Sequence, residues 1–293
     1  MSRAGFVALA GRPNVGKSTL VNALVGRKVA IVSDKPQTTR RAIRGVSTGE
    51  DTQLVLVDLP GVQRPRDALT ERMQHRVEAE LAESDAALLV LNGEEGVGPG
   101  DRWIAGQLGR SPAPVVIAVN KLDRLDRART LEVLTGAAAL GIGDDVFPIS
   151  ARTGSGVSAL HEHLATLMPQ SPFLYPPEDP SDQPEEVLLA ELVREQVLRR
   201  TFQEVPHAVE VIIDDVIRER DDLTRVRALV WVETESQKGI VIGNGGRMVK
   251  SIGTTARREL ERELGTHVHL DLSVRVRRGW RADERLLDRL GIE

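Results

Sequence analysis

The sequence predicts two domains in series, an α/β domain built on a mixed, mostly parallel sheet and then a smaller α+β domain. Three observations carry this reading. Short apolar runs alternate with longer amphipathic segments as far as residue 168. The stretch Ser171–Glu191 then breaks the pattern with five of the 15 prolines, six acidic residues and no cation. Beyond it the order changes to helix, strand, strand, helix, helix, strand. A length of 293 residues fits two domains of about 150.

In the first part, Phe6–Ala10, Leu54–Val57, Ala86–Leu91, Val115–Val119 and Val146–Ile149 are apolar runs of strand length. Runs without polar alternation mark strands buried on both faces. Lys17–Val25, Leu69–Leu81, Asp101–Leu108, Arg129–Leu140 and Val157–Leu167 carry helical spacing between them. Strand–helix alternation implies parallel strands with helices on both faces. Arg41–Ser47 is placed to pair antiparallel with Gln53–Val57 across the turn Gly49-Glu50-Asp51. The Pro-rich stretch reads as a stiff extended linker that turns helical near Glu185. After it come a helix at Glu185–Phe202, strands at Ala208–Ile217 and Arg225–Glu233, a short helix and a Gly-rich turn. A helix at Met248–Leu264, a strand at His267–Arg277 and an amphipathic stretch at Ala282–Leu290 follow.

Composition removes several kinds of chemistry. With no cysteine, disulfides, thiolate zinc sites, iron–sulfur clusters and Cys nucleophiles are excluded, and a reducing compartment is expected. Aromatics are 3%, too few for a surface that reads bases mainly by stacking. Residues 1–25 do not form the pattern of a secretory signal, and no apolar run reaches membrane-spanning length. Of 39 cationic residues only six are lysine, in keeping with an Arg-favouring genome. Five of the six fall at the motifs below, Lys17, Lys35, Lys121, Lys238 and Lys250; Lys28 does not.

Gly11-Arg12-Pro13-Asn14-Val15-Gly16-Lys17-Ser18 fits G-x-x-x-x-G-K-S/T between a strand and a helix, the setting of a phosphate-binding loop. Its backbone N–H groups and the helix N-terminus suit phosphate oxygens, Lys17 brings a point charge to the β/γ-phosphates, and Ser18 can ligate Mg²⁺. Thr19 extends the same turn. Asp58-Leu59-Pro60-Gly61 follows a strand as D-x-x-G. Its carboxylate can hold a Mg²⁺-bound water and its Gly61 N–H can meet a γ-phosphate oxygen. Asn120-Lys121-Leu122-Asp123 follows another strand as N-K-x-D. Asp123 can accept both N1–H and the 2-amino group of guanine, donors that adenine lacks. Asn120 can bridge to the loop that holds the base, and the Lys121 stem can lie over the base. Ser150-Ala151-Arg152 would support the guanine O6 through the Ala151 N–H. Three motifs in order at carboxyl ends of strands occupy the ligand-binding edge of such sheets.

On these motifs residues 5–168 resemble a translation-factor-class small GTPase domain, and Lys35-Pro36-Gln37-Thr38-Thr39-Arg40 resembles the switch I segment of Era-type GTPases. The resemblance implies a switch I threonine that ligates Mg²⁺ and senses the γ-phosphate, with Thr39 preferred to Thr38. Val62 stands where Ras-like enzymes carry a water-orienting Gln; Gln63 is out of register. In several relatives the asparagine at the position of Asn14 places a K⁺ ion; the competing reading makes Asn14 a loop-capping side chain. The resulting expectation is slow intrinsic hydrolysis, with Lys17, Asn14, Thr39, Asp58 and Gly61 as the catalytic set.

The second domain carries Ile240-Val241-Ile242-Gly243-Asn244-Gly245-Gly246-Arg247-Met248-Val249-Lys250-Ser251-Ile252-Gly253, which matches the KH signature. Such a glycine loop between helices clamps about four backbone nucleotides and needs little stacking. The element order is that of the type II KH fold. Residues 225–281 hold 12 Arg or Lys against six acidic residues, in a chain of net charge −4. A basic face on an acidic protein marks a local phosphate footprint. The RNA-binding candidates are Ile242, Gly243, Asn244, Gly245, Gly246, Arg247, Lys250, Lys238, Arg257 and Arg258. His267 and His269 share a strand face but lack the companions of a metal site. Gly279-Trp280-Arg281-Ala282-Asp283-Glu284-Arg285 resembles the tail after the KH domain in Era-type GTPases, with Arg281 a departure and Trp280 expected to pack.

The predicted domains are residues 1–170 (P-loop GTPase), 171–184 (linker), 185–279 (type II KH) and 280–293 (tail). The resemblance extends over nearly the whole chain. It implies a monomeric cytoplasmic GTPase using GTP/GDP, Mg²⁺ and K⁺. The protein would bind the 3′ end of small-subunit ribosomal RNA, assist small-subunit assembly and touch the inner face of the cell membrane peripherally. Two alternatives stand beside it: a membrane-signalling GTPase whose KH fold is a docking surface, and a non-hydrolysing RNA clamp with structural GTP.

Overall fold

The computed structural model describes residues 1–35, 37–62, 67–143 and 145–292. The described chain divides into two compact units, one of residues 1–30 and 39–182 with Ile292, the other of residues 31–38 and 183–291.

In the first unit the strands are β1 (Arg3–Ala10), β2 (Ile43–Thr48), β3 (Thr52–Asp58), β4 (Ala86–Asn92), β5 (Val115–Asn120) and β6 (Val146–Pro148). They form one sheet in the order β2-β3-β1-β4-β5-β6. β1 lies parallel to β3 and β4, the pairs β4–β5 and β5–β6 are parallel, and β2 pairs antiparallel with β3. The helices are α1 (Lys17–Val25), α2 (Ala68–Glu83), α3 (Pro99–Leu108), α4 (Arg127–Ala138) and α5 (Val157–Leu167). Successive strand residues point to opposite faces, so each strand feeds two cores. Val7, Leu9, Leu88 and Val90 pack with Leu20 and Leu24 of α1 and Leu160 and Leu164 of α5. Ala8, Ala10, Leu89 and Leu91 pack with Val77 of α2, Ile104 of α3 and Val133 of α4. This is the sheet with helices on both faces that the uninterrupted apolar runs imply.

The stretch read from sequence as a linker is in large part strapped to this unit. Wholly buried Gln53 accepts the N–H groups of Leu174 (2.7 Å) and Tyr175 (3.0 Å) and donates to the Tyr175 carbonyl at 2.9 Å. The Val46 N–H donates to the Pro180 carbonyl at 2.8 Å, and the Ser181 hydroxyl donates to the Arg44 carbonyl at 2.8 Å. The strap thereby satisfies the edge of β2, a position where unpaired backbone invites aggregation.

His161 on α5 shares a 3.0 Å hydrogen bond with Ser47, and burial pushes its pKa below 6.5 against the opposing pull of Glu162. The unfolded chain therefore takes up this proton first as pH falls. The stability contribution is complete above pH 6.5 and is lost as pH drops through the lower folded value. Urea denaturation at pH 7.5 and 5.5 should show a smaller acid loss for His161→Gln than for wild type. Equal losses would remove His161 from the acid response.

In the second unit, α6 (Glu185–Leu198), α7 (Val205–Ala208), β7 (Glu210–Arg220), β8 (Leu223–Val232), α8 (Glu235–Ile242), α9 (Arg247–Leu264), β9 (His267–Val276) and α10 (Glu284–Arg289) follow in order. β7 and β8 form an antiparallel hairpin, and β9 joins β8 in parallel. A parallel neighbour requires a crossover, which α8 and α9 supply. On α9, buried Ile252, Ala256 and Leu260 at four-residue spacing meet Val226, Ala228 and Val230 of β8 in one core with Leu189 and Val193 of α6. α6 ends four residues before the predicted Phe202, which is 65% exposed, and the short α7 was not foreseen. Left-handed Gln203 (φ 58°) turns the chain between them. Trp280 is wholly buried and donates to the Ala208 carbonyl at 3.0 Å, the packing role expected of it.

Residues 31–38 of the switch I region are held in this second unit by α6. Buried Glu195 accepts the Val32 N–H at 2.9 Å, and buried Arg194 donates to the Thr38 carbonyl while pairing with Glu191. Lys35 sits 4.5 Å over the Phe202 ring. Of this segment Pro36 lies outside the described residues, as does Gln63 of the segment after D-x-x-G.

Candidate functional site

The first site forms where the carboxyl ends of β1, β3 and β5 meet the N-terminus of α1. The loop Gly11–Ser18 turns through left-handed Asn14 (φ 63°) and Gly16 (φ 100°). A Cβ on Gly16 would run into the Asn120 side-chain nitrogen, so the close approach of N-K-x-D to the phosphate loop requires glycine there. Asn120 Nδ2 donates to the Val15 carbonyl at 2.9 Å, a contact to the phosphate loop that the sequence did not mark.

Lys17 is buried, and its Nζ donates to the carbonyls of Gly11 (3.0 Å) and Arg12 (3.1 Å). Burial pushes its ammonium down to about 8, with the Asp58 charge pulling the other way. Asp58 is wholly buried, and burial raises its pKa against Lys17, Ser18 and Thr39. Its Oδ2 accepts the Ser18 hydroxyl at 2.6 Å and the Thr39 hydroxyl at 3.3 Å, and those two hydroxyls are 3.1 Å apart. Asp58 Oδ1 is buried with no hydrogen-bond partner among the described residues. An orphaned buried carboxylate oxygen beside two hydroxyls is a hard-oxygen set that fits Mg²⁺. Thr38 is placed differently, its hydroxyl donating to the Lys35 carbonyl at 2.6 Å. The Val62 N–H donates to the Gly11 carbonyl at 3.2 Å, and Gly61 lies against Pro13. The D-x-x-G loop, with Leu59 buried beneath it, thus borders the phosphate loop.

Around the base position, Asp123 Oδ1 accepts the Ser150 hydroxyl at 2.5 Å, and Oδ2 accepts Arg152 Nη2 at 2.5 Å. The Ser150 hydrogen bond first, then that of Arg152, holds this carboxyl below its ordinary pKa, so it stays ionised. Lys121 takes a left-handed φ of 67°, and its ammonium lies 3.9 Å from Glu94. The Ala151 N–H, read from sequence as a donor to guanine O6, donates to Asn120 Oδ1 at 2.9 Å. The Arg12 guanidinium is bound to Asp101 and Glu95. Sequence spacing missed those two carboxylates, because they lie in a segment that matches no nucleotide motif.

The second site lies in the second unit, between α8, α9 and β9. Gly243 (φ 72°), Gly245 (φ 60°) and Gly246 (φ 76°) all take positive φ in the loop joining α8 to α9. Arg247 donates to the Asn244 carbonyl at 3.2 Å. Beside the loop runs a groove of about 470 Å³, lined by Lys250, Gly253, Thr254 and Arg257 of α9 and His269–Leu272 of β9. Spacing of three and four puts Lys250, Thr254 and Arg257 on one helical face. Arg258 is exposed but does not line the groove. Ile242 is half-buried, and Lys238 lies 4.0 Å from Glu235 on α8. His269 and Thr254 are groove residues that the sequence motif did not mark. Among the described residues no cluster of three His, Cys, Asp or Glu is arranged for a metal ion.

A family model described as 50S ribosome-binding GTPase matches residues 6–121, and one described as KH domain matches residues 204–281. The chain is 47% identical over 296 residues to GTPase Era of Mycolicibacterium paratuberculosis, covering 99% of this chain and 98% of that protein. It is also 47% identical over 294 residues to GTPase Era of Mycobacterium tuberculosis, with 98% of each covered. Its fold matches the crystal structure of an Era in complex with MgGDPNP and nucleotides 1506–1542 of 16S ribosomal RNA, at TM-score 0.95 and 32% identity over 100% of this chain and 99% of that one. A variant of Aquifex aeolicus Era bound to GDP·AlF4⁻ matches at TM-score 0.94 and 32% identity, with 99% of each chain covered.

Proposed function

Because the chain belongs to the Era family of GTPases, we propose that it binds GTP and hydrolyses it slowly, grips the 3′ end of 16S ribosomal RNA with its second unit, and assists assembly of the small ribosomal subunit. The observation that carries the GTPase reading is the meeting of Ser18, Thr39 and Asp58 beside buried Lys17, with Asp58 Oδ1 left for a cation. In this reading Ser18 and Thr39 hold Mg²⁺ directly and Asp58 holds it through water. The ion, when bound, neutralises charge on the phosphate oxygens. Gly11, Pro13, Val15, Gly16 and Thr19 shape the phosphate cradle, Lys17 directs its ammonium at the β/γ-phosphates, and the Gly61 N–H meets the γ-phosphate. Asn120, Lys121 and Asp123 hold the guanine, while the Ser150 hydroxyl braces Asp123 and the Ala151 N–H braces Asn120. Leu59 and Pro60 keep Asp58 and Gly61 in register, and Arg152 keeps Asp123 ionised.

Val62 is buried and apolar, so no side chain at that position orients water, and a low intrinsic rate follows. Steady-state phosphate release above the spontaneous rate of GTP tests the enzyme reading, and its absence would leave an RNA clamp with structural GTP. Run in KCl and in NaCl, the same assay tests the cation role of Asn14. The expected result is faster turnover in KCl for wild type and equal rates for Asn14→Ala. Equal wild-type rates in the two salts would assign Asn14 to shaping the loop.

For RNA, the Gly243–Gly246 loop and the groove beside Lys250 and Arg257 support a grip on single-stranded backbone. Neither alternative is favoured: full-length Era relatives speak against the docking protein, and the GTPase family against the non-hydrolysing clamp. Among the described residues no helix is long and apolar enough to cross a membrane. The proposal places a monomer in the cytoplasm, and flotation with anionic vesicles tests its peripheral contact with the membrane.

A further inference from the structure

Arg12 is the one cation in the phosphate loop besides Lys17, yet two carboxylates occupy it. Its Nε donates to Asp101 Oδ1 at 2.9 Å and its Nη1 to Glu95 Oε2 at 2.8 Å. Asp101 is wholly buried, and its Oδ2 accepts the Gly98 N–H at 2.8 Å at the start of α3. Glu95 is held in turn, its Oε1 accepting Asn92 Nδ2 at 2.6 Å from the end of β4. Two carboxylates thus hold Nε and Nη1, while Nη2 is buried with no hydrogen-bond partner among the described residues. The segment after β4 is also shaped around Arg12, since a Cβ on Gly100 would stand 2.8 Å from Arg12 Cδ.

Asp101 is the third residue of α3 and accepts the N–H of the capping Gly98, a bond that a neutral Gln can also make from that position. A wholly buried carboxylate costs several kcal/mol in desolvation. Asp101 therefore does more than cap α3. The Arg12 carbonyl accepts the Lys17 ammonium at 3.1 Å, beside the Gly11 carbonyl at 3.0 Å. Whatever fixes Arg12 fixes one of the two oxygens that aim Lys17.

We propose that Asp101 and Glu95 are positioning residues for GTP hydrolysis, which clamp the Arg12 side chain and so hold the backbone carbonyl that directs Lys17. The inference rests on the GTPase reading above and assigns to it residues outside every nucleotide motif. Lys17 meets charge that grows on the transferring phosphoryl group, so its aim matters more to turnover than to nucleotide binding. A displacement of about 1 Å can cost about 10²-fold in rate.

The test is Asp101→Asn in the full chain, which preserves size and the cap on Gly98. The expected result is a kcat lower by about 10- to 100-fold, with GDP affinity within about 3-fold of wild type and an unchanged melting curve. Arg12→Ala should lose as much, Arg12→Lys should recover part, and Asp101→Asn should add nothing in the Arg12→Ala background. Glu95→Gln, at a half-exposed side chain that cannot threaten folding, should lower kcat by about 3- to 10-fold and decides the matter if Asp101→Asn is unstable. Unchanged kcat in the folded variants would overturn the proposal. So would kcat, GDP affinity and melting temperature falling together, the mark of a structural role alone. Absent turnover in wild type instead overturns the GTPase reading, and the clamp with it.

Discussion

Asp123→Ala is expected to lower kcat/KM for GTP by about 10²- to 10⁴-fold, with little change for ATP. The carboxylate is kept ionised by the Ser150 hydroxyl at 2.5 Å and by Arg152. Guanine presents N1–H and an amino group to it. Hydrogen bonds to a charged group contribute about 1.5–3 kcal/mol each, and every 1.4 kcal/mol is tenfold. A site built around such bonds can reject a base that lacks the donors by about 10⁴–10⁵. Asp123→Asn separates this chemistry from any loss of folding. Its amide pairs one donor and one acceptor with the base, which suits xanthine with its C2 carbonyl. Xanthosine triphosphate should therefore restore turnover in Asp123→Asn and not in wild type. A GTP-to-ATP ratio unchanged in Asp123→Ala would mean that the base is read elsewhere.

The second large effect is expected at Gly245, where an aspartate should cost about 2–4 kcal/mol in RNA affinity, or about 30- to 1000-fold. Gly245 has φ 60° and ψ 26°, and a Cβ there meets nothing within 4 Å. Asp and Asn tolerate that left-handed region better than other side chains, so the loop should keep its shape. What changes is charge, with a carboxylate set where backbone N–H groups face phosphate. Filter binding of a 3′-terminal 16S RNA oligonucleotide should show the loss, while GTP turnover without RNA stays at the wild-type rate. A variant that bound RNA as wild type does would move the contact away from this loop. Gly243 is the poorer probe, because a Cβ there would lie 2.6 Å from the Met248 Cβ and disturb α9 directly.

Much of both sites was legible in the sequence because their chemistry is local. A phosphate loop needs its glycines and lysine at fixed spacing, and Lys17–Val25 begins and ends as a helix where the pattern placed it. The motifs at the ends of β3 and β5 come together because parallel strands in register deliver their carboxyl ends to one edge. The preference for Thr39 rested on resemblance; the structure puts the Thr39 hydroxyl, and not that of Thr38, on Asp58.

Long-range polar contacts were not legible. Gln53 reads as one polar residue at the start of an apolar strand, yet its amide holds a strap more than 120 residues away. Nothing near Arg194 or Glu195 announces that the backbone of residues 31–38 is what they bind. Helical periodicity counts such residues as a solvated face, whereas α6 buries Glu191, Arg194, Glu195 and Gln196 in succession. The division between the two units falls inside the predicted linker. Its attachment to the sheet was not legible, because prolines report stiffness and an extended backbone, and these are equally the properties of a chain laid along a sheet edge. Asp101 looked like an ordinary helix start, and only its zero exposure and its bond to Arg12 give it a further role.

The most direct test of the account is to cross-link the protein to RNA in growing cells and sequence what it holds. Reads from the wild-type chain should concentrate at the 3′ end of 16S ribosomal RNA and vanish with Gly245→Asp. Reads spread evenly over cellular RNA, or a 16S peak that survives Gly245→Asp, would contradict it.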